Sequence, residues 1–264
     1  MKKSLPSELL YQVFALLIAF IVIHGMYVAV IRPNAEADLK ARAELVQADP
    51  NAVTEDSFYV VLRDFEQEAC LILMLWALAI LAYKGLNTWN QQRLLREDLL
   101  GLPEGMPIGL EDMRPLADRL AKLPEQARDF LLPVALTTAI ERYAATRNVQ
   151  DVSTASRDIC ESEAGRMESE LSIIRYIAWA IPSVGFIGTV RGIGDALGQA
   201  HKAVEGDITG VTESLGVAFN STFIALVISI VLMFFIHQLQ LMQERLVLDS
   251  ERYVDKWFIR KLRA

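Results

Sequence analysis

Cysteine and histidine are scarce in this chain of 264 residues, which has two of the first and three of the second. Cys70 falls in an apolar run and Cys160 in a charged one, so no disulfide framework exists and both read as small apolar side chains. His24, His201 and His237 are far apart on different segments, which excludes a metal-ligand spacing. The sequence lacks a phosphate loop, a nucleophile elbow and a paired-cysteine motif. The glycines of 192–198 (GIGDALG) lack the preceding strand that a dinucleotide fingerprint requires. Internal repeats and low-complexity tracts are also missing. Enzyme chemistry, a cofactor, a metal and nucleic-acid binding are therefore not expected.

Apolar sequence is plentiful instead: 53% of residues are hydrophobic and 22% charged, a balance that suggests membrane spans joined to soluble parts. Four segments stand out, at 13–31, 69–83, 176–190 and 215–236. The last has 22 uncharged residues, enough at ~1.5 Å rise each to cross a hydrocarbon core of ~30 Å. The second is shorter and extends through Gly85 and Leu86.

The net charge of −7 says less than its sidedness. Between the last two spans lie Asp195, Glu205, Asp207 and Glu213 against Lys202 alone. The tail after His237 carries Arg245, Arg252, Lys256, Arg260, Lys261 and Arg263. The positive-inside rule makes the tail cytoplasmic and the loop external, and counting back puts Lys2 and Lys3 inside as well. A cleaved leader is the competing reading of the N-terminus, with 35–37 (AEA) as its small-residue site, but the apolar run exceeds a signal core.

The expected organisation is an all-α integral membrane protein with four transmembrane helices and long helices extending into the cytoplasm. Its segments are an N-terminal span (1–31), an external segment (32–68), a second span (69–86) and a cytoplasmic helical region (87–172). A motif-bearing span pair with a short external loop (173–240) and a cytoplasmic C-terminal helix (241–264) complete it. The second span is expected to continue as helix to Leu100, before Gly101 and Pro103, with Gly105, Pro107 and Gly109 marking a loop. Pro115 and Pro133 read as kinks or boundaries. From Asp151 the apolar periodicity predicts one long helix entering the membrane as the third span. Leu239, Met242, Leu246, Tyr253 and Trp257 form a stripe on the helix leaving the fourth. Membrane-surface binding by Trp257, Phe258, Arg260, Lys261 and Arg263 is the alternative reading of that end.

Both final spans carry a small-residue face. Gly185, Gly188 and Gly192 recur at spacings of three and four, as do Ala218, Ser221, Thr222 and Ala225. Such faces let membrane helices approach closely, where packing and interhelical hydrogen bonds replace the hydrophobic drive. Thr189 and Thr222 put a hydroxyl near mid-span, with Asn220 and Ser221 beside the second, while 176–190 and 215–236 hold no carboxylate. A hydroxyl orients water or passes a proton but does not titrate near neutral pH. A coupled proton pathway would therefore need a carboxylate from another chain. Asp195 and Glu213 sit near the outer ends, as solvated loop charges or as groups that gather cations, and Arg191 either snorkels outward or pairs with Asp195 one turn on.

The stretch 185–193 (GFIGTVRGI) resembles the GLLGTVWGI-type motif of the MotA/TolQ/ExbB proton-channel family, and 218–226 (AFNSTFIAL) resembles its ALxxTxxGL-type motif in the following span. The resemblance implies that Thr189 and Thr222 face the pore and that Pro182 is the proline near the inner end of the motif helix. It further implies a homopentamer in the bacterial inner membrane, with both termini cytoplasmic. The ring would surround a dimer of single-span partners of the MotB, ExbD and TolR type, whose aspartate carries the ion. Such a complex turns ion-motive force into mechanical work. Arg191 and Ala225 depart from the pattern, standing where the family has an aromatic or apolar residue and a glycine. A non-conducting scaffold assembled through the small-residue faces is the alternative from another class.

Overall fold

A computed structural model describes residues 7–48, 57–103 and 106–263. Lys2, Lys3 and Gly105, to which the sequence assigns sidedness or loop roles, lie outside the described residues. The fold is all-helical: among the described residues there is no strand, only an isolated bridge between Ile108 and Leu262.

The first apolar helix, α1 (Ser7–Met26), widens into a π-helical turn at Tyr27–Ile31 and continues as α2 (Arg32–Ala48). The cause lies just beyond the turn. Pro33 supplies no N–H and its ring crowds the carbonyl one turn back, so the helix loosens locally rather than ending. Asn34 then donates its side-chain amide to the Val30 carbonyl at 2.7 Å. A short α3 (Phe58–Leu62), capped by Ser57, leads into α4 (Phe65–Leu94).

The next helices are α5 (Met113–Ala121), α6 (Glu125–Arg128), α7 (Leu131–Thr146) and α8 (Val149–Glu170). The last three are α9 (Ser172–Gly198), α10 (Ala200–Val204) and α11 (Thr209–Trp257). The chain packs as two units, one of residues 1–81 with 173–236 and the other of residues 82–172 with 237–264.

Two local expectations are corrected and a third is resolved between its alternatives. Helix α4 ends at Leu94, not Leu100, because the chain turns through bonds from Arg96 to Arg93 and from Glu97 to Leu94. That turn brings Leu94, Leu99 and Leu100 into one core. Of the two readings given to Pro115 and Pro133, kink or boundary, the structure selects the boundary: both fall in the first turns of α5 and α7, where a missing N–H costs nothing. The long helix from Asp151 into the third span is interrupted at Leu171, between α8 and α9.

In the second unit, Leu136, Ala139 and Ile140 of α7 meet Val152 of α8 and the fully buried Phe258. Asn148 caps α8 through the N–H groups of Gln150 and Asp151, and Gln91 caps α7 at Leu131. Phe258 is 0% exposed, so it belongs to this core and is not offered to a membrane surface. Trp257 instead lies under Lys256 and Lys261, whose ammonium groups are 4.8 and 4.9 Å from its ring.

Among the described residues, four helical stretches are long and apolar enough to cross a membrane, at Leu9–Leu45, Phe65–Leu94, Val149–Gly198 and Thr209–Lys261. Large apolar side chains such as Phe14, Ile21, Trp179, Val190, Phe223 and Ile230 are exposed along them. A lipid-facing surface has this character, and the chain is a multi-pass membrane protein. Within the first unit, Ile23, Tyr27 and Ile31 bury against Leu62, with Leu71, Ile72, Leu75 and Ile224 packed around them.

Candidate functional site

The contact between α9 and α11 is built from missing side chains. Gly185, Gly188 and Gly192 of α9 are buried, as are Ala218, Ser221 and Ala225 of α11. A methyl group added at Gly185 would stand 2.5 Å from the Ala225 methyl, and one at Gly188 would stand 2.5 Å from Ser221 Cβ. At Gly192 the obstacle is backbone, the Ser214 carbonyl at 2.7 Å. The spacing seen in the sequence thus places all three glycines where two helices approach too closely for any larger residue.

Close approach puts the two threonine hydroxyls in contact. Thr189 Oγ1 and Thr222 Oγ1 are hydrogen-bonded to each other. Thr222 donates to the Gly185 carbonyl at 3.1 Å and Thr189 lies 3.0 Å from the Ala218 carbonyl. Each hydroxyl has one proton and two acceptor lone pairs. With its proton committed to a carbonyl or to the other hydroxyl, each oxygen keeps acceptor capacity for a water or a hydrated proton. Ser221 is buried beside Gly188 and donates to the Val217 carbonyl at 2.7 Å. Asn220 is half-buried.

Pro182 sits inside α9 and leaves the Ala178 carbonyl without its helical donor. Ser229 Oγ of α11 supplies one at 3.0 Å. This serine belongs to the same small-residue face, but its role follows only from knowing which turn of α9 lies opposite.

The second apolar helix brings carboxylates to this contact. Glu66, in the first turn of α4, is 9% exposed, and its Cγ would lie 3.0 Å from a methyl added at Gly188. The same chain therefore places a carboxyl group within one residue of Thr189, although neither motif segment contains one. Arg191 bonds Glu66 Oε2 at 2.9 Å and lies 3.9 Å from Asp64. Its partners are on α4 and the residue before it, and not at Asp195, which is exposed. Glu213 pairs with Arg63 at 2.9 Å, while its side chain stays half-exposed. Burial raises the Asp64 carboxyl above the ordinary carboxylate range, although Arg63 and Arg191 oppose the shift.

Residues 129–252 match the model of the MotA/TolQ/ExbB proton channel family. No curated protein and no solved structure matches the chain. The matched segment contains α9, most of α11 and every residue of the threonine contact. It marks residues 129–252 as a domain of that family. The carboxylates of α4 and all of α1 to α3 lie outside it.

Proposed function

We propose that this protein is the proton-conducting subunit of an ion-driven motor in the bacterial inner membrane. Five copies form a ring around two copies of a single-span partner. The partner's span aspartate carries the ion past Thr189 and Thr222, and ion-motive force is converted into mechanical work. The observation that carries the reading is the hydroxyl pair itself, on consecutive apolar helices inside the matched segment. Half-buried hydroxyls with spare acceptor capacity suit a site that a protonated carboxyl or a hydrated proton visits in turn.

In this arrangement the glycine and alanine faces hold α9 against α11, and Pro182 with Ser229 fixes the inner half of the contact. The loop from 194 to 213 is external, with Asp195 and Glu213 at the pore mouth. The helical region 87–172, the C-terminal segment 241–264 and both termini are cytoplasmic.

A non-conducting scaffold is the second reading, and one observation favours it. Both hydroxyls lie within hydrogen-bonding distance of carbonyls across the contact, as groups whose task is packing would do. The test is to purify the complex with its single-span partner, count subunits by native mass spectrometry and measure proton flux in liposomes. Five copies with two partners, and a flux lost when the partner's span aspartate becomes asparagine, support the motor subunit. A stable assembly without a second protein and without flux contradicts it.

A further inference from the structure

Beside the threonine contact, the first unit holds a mixed set of acids and bases that the family match does not account for, with Glu66 and Glu68 buried and their basic partners partly exposed. Glu68 of α4 is 6% exposed. Its Oε1 lies 2.6 Å from His24 Nδ1 of α1, and its Oε2 bonds the guanidinium of Arg32 on α2. Glu66, two residues earlier on a different face of the same helix, bonds Arg191 of α9, with Asp64 beside that guanidinium. Arg63 joins Asp64 to Glu213 of α11. Tyr27 and Cys70 complete the uncharged titratable groups.

Two features set this cluster apart from a set of surface ion pairs. The first is its charge. Asp64, Glu66, Glu68 and Glu213 bring four carboxylates and Arg32, Arg63 and Arg191 bring three guanidiniums. One negative charge is left to be balanced by a proton on His24 or on a carboxyl. The second is an orphan. Tyr27 is 0% exposed and its hydroxyl has no hydrogen-bond partner among the described residues. It stands within electrostatic reach of Glu68 and Arg32, with the Arg32 guanidinium 5.6 Å from its ring. A buried hydroxyl without a partner points to a polar species that visits the site. Tyr27 is also the first residue of the π-helical turn, a distortion that recurs at functional positions.

We propose that this cluster is a proton-loading site on the ion pathway. The inference rests on the conducting role proposed for Thr189 and Thr222. A hydronium ion reaching the half-exposed His24 transfers its proton to the His24–Glu68 pair and leaves as water, and the cluster becomes neutral. Glu66, packed against Gly188, is the carboxylate through which the charge state of the cluster is felt at the hydroxyl pair. Arg32 and Arg191 hold the two acids apart on fixed partners, so a single proton is taken up at a time. Ionisable groups buried among apolar helices are costly, and loading a proton is a function that accounts for their presence.

The experiment measures proton flux through the reconstituted complex as a function of the pH on the His24 side. Wild type, Thr189→Val, His24→Gln, Glu68→Gln and Glu68→Asp are compared, and melting temperatures are recorded for each. The expected result is a flux in Glu68→Gln lowered by about tenfold and substantially restored in Glu68→Asp. In His24→Gln the dependence of flux on that pH is lost. Flux that is abolished by Thr189→Val but has wild-type rate and pH profile in Glu68→Gln and His24→Gln overturns the loading site and leaves the conducting role standing. Equal losses in Glu68→Gln and Glu68→Asp, with lowered melting temperatures, identify a merely structural ion pair and also overturn it. A wild-type complex without flux refutes both.

Discussion

Ser229 Oγ donates to the Ala178 carbonyl at 3.0 Å across the α9–α11 contact, and Ala178 is the residue whose carbonyl Pro182 leaves without a helical partner. A proline in one apolar helix and a serine in another, 47 positions on, thus form one structural unit. In lipid no water can replace the missing donor. Ser229→Ala is therefore expected to destabilise the folded chain by about 1 kcal/mol. In a Pro182→Ala background the backbone N–H returns and the cost of Ser229→Ala is expected to shrink towards zero. Unfolding of the four proteins from mild detergent into dodecyl sulfate measures this coupling, and equal costs in both backgrounds would show that the serine acts elsewhere.

Gly188 and Gly192 differ in what opposes them. At Gly188 the obstacle is the Ser221 side chain, whereas at Gly192 it includes the Ser214 carbonyl. Either glycine changed to alanine is expected to cost about 1–3 kcal/mol through overpacking. Ser221→Gly should recover most of the loss at Gly188, while Ala218→Gly should not recover Gly192→Ala, because backbone cannot be trimmed. Gly165 of α8 has open space around its α-carbon, and Gly165→Ala is expected to stabilise by up to about 1 kcal/mol through helix propensity. Thermal melts of this series decide whether close approach, rather than glycine content, is what the contact requires.

The hydropathy and small-residue periodicity made the four apolar helices, the facing glycines and the two threonines legible in the sequence, because each is a pattern within one helix. Arg191 was legible only as an anomaly. Its partners Glu66 and Asp64 lie more than a hundred residues earlier, and pairing across that distance is a property of packing that no local pattern encodes. The sequence places Glu66 and Glu68 in an external segment, since an acidic pair preceding an apolar run reads as its solvated flank. The structure folds that flank into the first turn of α4 and buries both acids. The end of α4 at Leu94 was hidden for a similar reason, as the turn is imposed by a shared core and no breaker residue precedes it.

Asp64 supplies a pH-dependent test. Its folded-state carboxyl is raised mainly by burial, so the folded chain holds this proton more tightly than the unfolded chain does. The resulting stability is fully present below the ordinary aspartate value of about 3.9 and is lost as pH rises through the folded value. Asp64→Asn cannot ionise and is expected to flatten this loss. The variant should melt above wild type near neutral pH, and the difference should narrow as the pH falls towards 4. A constant difference across that window would assign the effect to something other than ionisation.

Phe258 is buried in the core of the second unit with Leu136, Ile140 and Val152. Phe258→Ala is expected to cost about 3–5 kcal/mol by leaving a cavity. Trp257→Ala, which removes a partly exposed ring between two lysines, should cost less. Denaturant titration of both variants checks the order. A larger loss for Trp257 would show that this core rests on the Trp257 ring and not on Phe258.

The central claim is that Thr189 and Thr222 line a proton path. Its most direct test is proton flux through the reconstituted complex with Thr189 or Thr222 replaced by valine, which keeps the shape and removes the hydroxyl, or by serine, which keeps the hydroxyl. The account predicts flux lost in both valine variants and retained in both serine variants, with subunit assembly unchanged throughout. Valine variants that assemble and conduct like wild type would contradict it.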